Sequence, residues 1–324
     1  MRKVFNILLA VMMIIVSAFS LTACAQPDNG GDEEKGLLIK KIGQTYAIHD
    51  FVDDGTFNGV LDIGAILASK ELENVTIRRG AFDGVDTIEK LIVSDRVTEI
   101  EEGAFRNMKN LAELELPFIG KNAIADARYN QTDDQTNKTI GKERTIAHLF
   151  GSEVYDGGAE ITTPYGDVYL PATLTTITVN ATNKVSYDYG DKVGYAIPYE
   201  AFQGATNLTK IVLKGDNLAE IGENAFADCA NLTSVVFDLP ADSSSDNIKF
   251  HTIHKNAFKG CTNMNKLNSD VSMTIDLDFL GYYVEIKDGA FDFGKENAKY
   301  NVINAGTYAS ALAEIFGETE FEVK

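Results

Sequence analysis

The sequence predicts a repeat solenoid of α/β type, dominated by short parallel β-strands and loops and closed by short capping helices. Three observations carry that expectation. An Ala-Phe pair recurs six times, ending at Phe82, Phe105, Phe202, Phe226, Phe258 and Phe291. An Ile stands five residues before every one of these rings, at Ile77, Ile100, Ile197, Ile221, Ile253 and Ile286. Apolar residues then follow six, nine and eleven positions after Phe, as in Leu111, Leu114 and Leu116, or Leu208, Ile211 and Leu213.

Each slot has a physical reading. The apolar residues at the ninth and eleventh positions alternate with their neighbours, as the inward face of a short strand requires. The Ile and the Ala-Phe pair are expected to point inward from turns. One unit of about 23 residues cannot enclose a core, whereas stacked units bury one another's apolar ladders and pair their strands in parallel. The last two copies are imperfect. The pattern fails at Ser269 after Phe258, and at Asn297 after Phe291 before recovering at Tyr300 and Val302.

Two further units are expected in the irregular stretches. Leu174-x-x-Ile177-x-Val179 and Leu72-x-x-Val75-x-Ile77 share the strand spacing, and Leu149-Phe150 fills an Ala-Phe slot with Ile146 nearby. The 97-residue interval between Phe105 and Phe202 then holds two units, with its extra length in loops around 119–140 and 152–166.

The array, over residues 67–303, needs ends that cover its open core and strand edges. Residues 37–66 read as an N-terminal cap. It has strands at Leu37-Leu38-Ile39 and Tyr46-Ala47-Ile48, and a short helix running from Asp62 toward Leu72 with Ile63, Ile66 and Leu67 at helical spacing. Residues 304–324 read as a C-terminal cap. There Tyr308, Leu312, Ile315 and Phe316 share one side of a helix.

The N-terminus reads as an address. Arg2 and Lys3 precede an apolar run from Val4 to Phe19 that is short and interrupted for a membrane span. Leu21-Thr22-Ala23-Cys24 then resembles the lipobox of bacterial lipoproteins. That resemblance implies a signal peptide over 1–23 and a diacylglyceryl group on Cys24, the first mature residue. The partner there is a membrane, held stably because more than one acyl chain is attached. The remainder of 24–36 is Gly, Pro and acid without a large apolar side chain, the composition of a flexible tether.

The unit Ile-x-x-x-Ala-Phe-x-x-Cys-x-x-Leu-x-x-Ile-x-Leu, drawn from 197–213 and 221–237, resembles the BspA-type leucine-rich repeats of bacterial surface proteins. The resemblance spans the array. It implies display at the cell envelope and binding of an extracellular protein, or less readily a glycan, in adhesion to host or neighbouring cells. A structural envelope scaffold that binds components of its own cell is the alternative, and an enzyme is a remote one.

Charge and composition narrow the classes of function. The chain of 324 residues carries 48 acidic against 29 basic side chains, a net charge of −19, which opposes both nucleic acid and anionic lipid as electrostatic partners. Hydrophobic residues make up 44% of it, enough for a sizeable core. No phosphate loop, dinucleotide fingerprint or nucleophile elbow occurs, so no catalytic residue and no cofactor is assigned.

Cys229 and Cys261 each follow a repeat Phe by three residues, where other units place Val85, Met108 and Ala205. That slot reads as core packing, with a disulfide between successive units as the alternative. His251 and His254 flank the core Ile253 without the three or four ligands that zinc needs, and no metal is assigned. The acid pairs at Asp53-Asp54 and Asp133-Asp134, and Asp188 with Asp191, fit no calcium loop.

Tyrosine is concentrated instead. Tyr155, Tyr165, Tyr169, Tyr187, Tyr189, Tyr195 and Tyr199 lie within 45 residues of the irregular stretch. Tyr anchors many binding faces, so these seven form the candidate binding surface, with packing in strands as the competing reading.

Overall fold

The computed structural model describes residues 36–53, 57, 59–123, 141–181, 195–215, 218–238, 252–265, 285–286, 289–290 and 292. Strands β1 (Gly36–Ile42) and β2 (Thr45–Val52) pair antiparallel around Gly43, whose φ of 63° suits the tight turn. The edge of β2 then accepts β4 (Val75–Ile77) in parallel, and β4 accepts β6 (Val97–Ile100). Both strands expected in the N-terminal segment are therefore present. The helix is present too, as α1 (Ile63–Ser69). Asp62 caps it by accepting the Ala65 N–H at 2.8 Å, and Ile63 and Leu67 are buried.

A second ladder runs beside the first. Strands β3 (Val60–Asp62), β5 (Lys90–Ile92), β7 (Glu113–Leu116), β10 (Thr176–Asn180), β12 (Lys210–Lys214) and β14 (Ser234–Asp238) form one six-stranded parallel sheet. Its inward residues are the ninth- and eleventh-position slots of the repeat, and Leu91, Leu114, Ile177, Ile211 and Val235 align across it and are buried.

The Ile slot differs from expectation. It lies in strands and not in turns, so a repeat contributes two strands. Ile48, Ile77 and Ile100 stand in register in the sheet β1-β2-β4-β6. Ile197, Ile221, Ile253 and Ile286 stand in register in a further sheet made of β11 (Tyr195–Ile197), β13 (Leu218–Ile221), β15 (Thr252–Ile253) and β16 (Glu285–Ile286). The segment Val75–Ile77 accordingly belongs to the Ile ladder, and β3 supplies the six-stranded sheet at that end. The spacing Leu-x-x-Val-x-Ile misled because Val75 and Ile77 are buried two residues apart in one ladder as Leu91 and Val93 are in the other.

Between the ladders lies a column of phenylalanines. Phe82, Phe105, Phe150, Phe202, Phe226 and Phe258 are all fully buried. Phe82 and Phe105 lie 5.8 Å apart, Phe105 and Phe150 6.2 Å, and Phe202, Phe226 and Phe258 stack at 5.0 Å with 5° between planes. Each such pair adds about 0.5–1.5 kcal/mol beyond its buried area. Phe150 thus occupies the slot expected for it.

The backbone repeats the same message. The N–H of Phe82, Phe105, Phe202, Phe226 and Phe258 donates to the carbonyl of Ala104, Leu149, Ala225, Ala257 and Ala290 respectively, in all five cases the residue before the next ring. Phe291 itself lies outside the described residues.

The turns around each ring require left-handed backbone. Two residues before Phe stand Gly80, Gly103, Asn224 and Asn256, and two residues after it stand Gly84, Asn107, Gly204, Asp228 and Gly260, all at φ between 54° and 77°. These are the residue types that enter this region at little cost.

The wide unit between Phe105 and Phe202 holds a short helix, α2 (Ile146–Phe150), and a hairpin, β8 (Gly158–Thr163) with β9 (Gly166–Pro171). The expected loop at 152–166 is therefore largely hairpin. It is pinned rather than free. A side chain on Gly204 would collide with the Thr162 carbonyl, and one on Gly141 with the Tyr165 ring. The loop at 119–140 is described only to residue 123, and the expected C-terminal helix lies outside the described residues.

Removing the central ring of the stack tests this packing. Phe226→Ala leaves a ring-sized void between Phe202 and Phe258, and is expected to cost about 3–5 kcal/mol in denaturant unfolding. Thr206→Ala at an exposed turn is expected to stay within about 0.5 kcal/mol.

Candidate interaction surface

The outward side of the six-stranded sheet is built by the residues between the core slots. Strand alternation sends Leu91, Leu114, Ile177 and Ile211 inward and leaves a central outward row of Ile92, Glu115, Thr178, Val212 and Val236, in register and half-buried. A flanking row carries Lys90, Glu113, Thr176, Lys210 and Ser234. The surface is a strip of β-branched side chains, broken once by Glu115 and bordered by charge of both signs.

Ion pairs between neighbouring repeats order that charge. Lys90 bonds Glu113 at 2.7 Å, Arg106 bonds Asp83 at 2.5 Å, and Lys109 bonds Asp86 at 2.9 Å, each pair 23 residues apart and hence one repeat apart. Arg106 also reaches Glu153 at 2.8 Å. The Lys109 ammonium holds the Asp86 carboxyl below the usual range, and Asp83 raises the Arg106 guanidinium. Exposed pairs of this kind contribute little stability singly. Their value is register, because each charge meets its opposite only in the correct stacking.

The tyrosine surface needs correction. Tyr195 is 2% exposed, and its phenol oxygen accepts the Ile119 N–H at 2.8 Å, so it is a core residue. Tyr165 and Tyr199 direct their hydroxyls to the Glu200 carboxylate. Glu200 is buried, sits at φ 55° where other repeats use Gly or Asn, and has its carboxyl raised by burial. Tyr155 is half-buried, and burial raises its phenol. Tyr169 donates to Glu160 across the hairpin at 2.9 Å. Tyr187 and Tyr189 lie outside the described residues. The enrichment reflects how the hairpin is fastened to its neighbours. The sheet face, which composition did not single out, runs in register across five strands.

Cys229 and Cys261 are free, fully enclosed thiols. Each S–H donates to the carbonyl of the previous repeat's Phe, Cys229 to Phe202 and Cys261 to Phe226, both at 3.1 Å. Burial pushes the Cys229 thiol up to about 12 and Cys261 well above its ordinary value. They occupy the packing slot, with the added role of satisfying a backbone acceptor. His254 lies 3.0 Å from the buried Glu220, and His148 places Nε2 3.0 Å from the Ile100 carbonyl. Among the described residues no group of three or more His, Cys, Asp or Glu is arranged to hold a metal ion. Cys24 and His251 lie outside them.

An asparagine ladder was missed. Asn110, Asn207, Asn231 and Asn263 all stand five residues after Phe. Asn110 donates to the Asp86 carbonyl, Asn207 to that of Leu174 and Asn231 to that of Thr206, while Asn263 donates to the Asn231 side chain. The signal was present, as Asn followed by Leu or Met in four units.

The description "BspA type Leucine rich repeat region" matches in six copies, over residues 52–146 and 191–278, more than half of the chain. The chain belongs to this BspA-type leucine rich repeat family. No curated protein matches it. Among solved structures it is similar to the T. pallidum leucine rich repeat protein TpLRR, at 12% identity over 89% of this chain and 97% of that one, with a TM-score of 0.30. A leucine-rich repeat protein from Bacteroides ovatus also has 12% identity, over 92% and 100% of the two chains, with a TM-score of 0.22. A leucine rich cell surface protein from Faecalibacterium prausnitzii has 13% identity over 77% and 94%, with a TM-score of 0.16. The interval that the BspA-type pattern skips, 147–190, contains most of α2, the hairpin and β10. It holds an irregular unit whose β10 keeps one sheet continuous.

Acid tests the buried imidazole. Burial holds His148 below its ordinary value, so the unfolded chain binds the proton more readily and stability falls as pH drops from about 6.5 toward the folded value. Glu200, raised by burial, acts in the opposite sense, so the contrast between variants is what counts. The urea midpoint is expected to fall less between pH 7 and 5 in His148→Gln than in the parent chain. Equal falls would contradict a buried neutral imidazole.

Proposed function

We propose that this BspA-type repeat protein is a lipid-anchored, non-catalytic module displayed at a bacterial cell surface, and that it binds a protein partner through the outward face of its six-stranded sheet. The observation that carries the reading is the registered strip Ile92, Thr178, Val212 and Val236 flanked by Lys90, Glu113 and Lys210. Half-buried β-branched side chains offer apolar contact, and the mixed charge beside them offers orientation and selectivity. A polypeptide supplies both. A polyanion meets a chain of net charge −19, which favours neither nucleic acid nor an anionic membrane. Adhesion to a foreign surface is the use that fits a tethered array.

The anchor rests on Leu21-Thr22-Ala23-Cys24 and the acidic tether behind it. Among the described residues no helix is long and apolar enough to cross a membrane. Cys24→Ala is expected to move the chain from the membrane fraction to the soluble one, and retention of the cleaved variant in the membrane would refute lipidation.

The face is tested by a screen of the purified chain against extracellular-matrix proteins, mucins, glycans and envelope extract of the producing cell. Saturable binding to a foreign protein that drops roughly tenfold or more in Val212→Glu, with Tyr169→Ala near parental, is the expected pattern. Binding abolished by Tyr169→Ala but indifferent to Val212→Glu would return the site to the hairpin. Binding only to the cell's own material would make the protein a scaffold.

A further inference from the structure

One corner of the six-stranded sheet holds a group of side chains that its structural role does not exhaust. Glu115 on β7, Asn180 on β10 and Lys214 on β12 lie on three consecutive strands and meet on the outward side. A single carboxylate oxygen, Glu115 Oε1, takes the Lys214 ammonium at 2.8 Å and the Asn180 carboxamide nitrogen at 3.0 Å. Asn180 and Lys214 are direct partners in the parallel register. The pair is more enclosed than the Lys90–Glu113 bridge on the same face. The Lys214 and Glu115 side chains are 31% and 18% exposed, against 38% and 50% for the other two.

The backbone on either side is locked. Ala181 N–H donates to the Lys214 carbonyl at 2.8 Å, and a side chain on Gly215 would meet the Ala181 backbone at 2.6 Å. The amine and the carboxamide therefore approach one carboxylate from two fixed strand ends.

We propose that Lys214 and Asn180 are joined by an isopeptide bond, with Glu115 as the proton carrier. The bookkeeping is complete without an oxidant or cofactor. Lys214 Nζ gives a proton to the Glu115 carboxylate and its freed electron pair attacks Asn180 Cγ. The Glu115 carboxyl then returns that proton to Nδ2, the Cγ–Nδ2 bond breaks, and the departing ammonia takes up the second proton shed by Nζ and leaves as ammonium. A carboxylate that touches both nitrogens is placed for both transfers. The product ties β10, inside the widest unit, covalently to β12 of the following unit.

The test is peptide mapping of the purified full chain by mass spectrometry. The expected result is a branched peptide linking the segment with Asn180 to the segment with Lys214, lighter than their sum by one ammonia. It should be lost in Lys214→Arg and in Glu115→Gln. Linear peptides carrying unmodified Asn180 and Lys214 after prolonged incubation of the folded chain would overturn the proposal. So would an ammonia loss at Asn180 that persists in Lys214→Arg, because that signifies ring closure of the asparagine on its own backbone. The decisive reading is made on the parent chain, so a variant that fails to fold does not blunt it.

Discussion

The structure depends on one contact made again in five units: a buried phenylalanine whose N–H donates to the backbone just ahead of the next phenylalanine, with the Ile146 N–H reaching Ala201 in place of Phe150 in the wide unit. The ring fills the interior and the amide fixes the spacing, so neither can be satisfied by a unit alone. Everything else follows that spacing. Left-handed Gly, Asn and Asp turn the chain on both sides of the ring, asparagines bridge to the previous turn, and cysteine thiols bond its phenylalanine carbonyl. A solenoid is the natural outcome of interactions that always point to a neighbour.

The array is nevertheless not uniform. Between Phe105 and Phe202 the Ile ladder gives way to α2 and its flanking segments, and two separate four-stranded sheets result. The six-stranded sheet passes through, because β10 pairs with β7 on one side and β12 on the other. The hairpin in this interval is fastened by Tyr165, Tyr199 and Glu200 and by close approach at Gly141 and Gly204. Glu200 accepts a left-handed backbone that its side chain disfavours, and the two phenols it collects supply a reason for keeping it there. The wide unit joins the halves, and the continuous sheet presents one long outward face across the join.

Most of this architecture was legible in the residues. The Phe and Ile slots were recoverable because the interior admits few side chains, so six units reuse the same ones. The second ladder was not, because strands as short as Val75–Ile77 carry no more pattern than a turn with two apolar residues. The asparagine and glycine slots were visible but unread, since their meaning lies in backbone geometry and not in hydrophobicity. The tyrosine cluster divides for a plainer reason. Enrichment says nothing about direction, and Tyr195 points into the core while Tyr165 and Tyr199 serve a buried carboxylate. The sheet face escaped notice because its outward residues, such as Thr178 and Val212, are ordinary strand formers, and only register assembles them into a strip.

If the two halves are one cooperative array joined through β10, the joint should be as well protected as the interior. Native-state hydrogen exchange resolved at single amides measures this directly. The amides of Phe105, Phe202 and Phe226 are expected to fall together in the slowest class, with free energies of opening that match global unfolding. Two distinct classes, with Phe105 on one side of the wide unit opening independently of Phe202 and Phe226 on the other, would contradict the account.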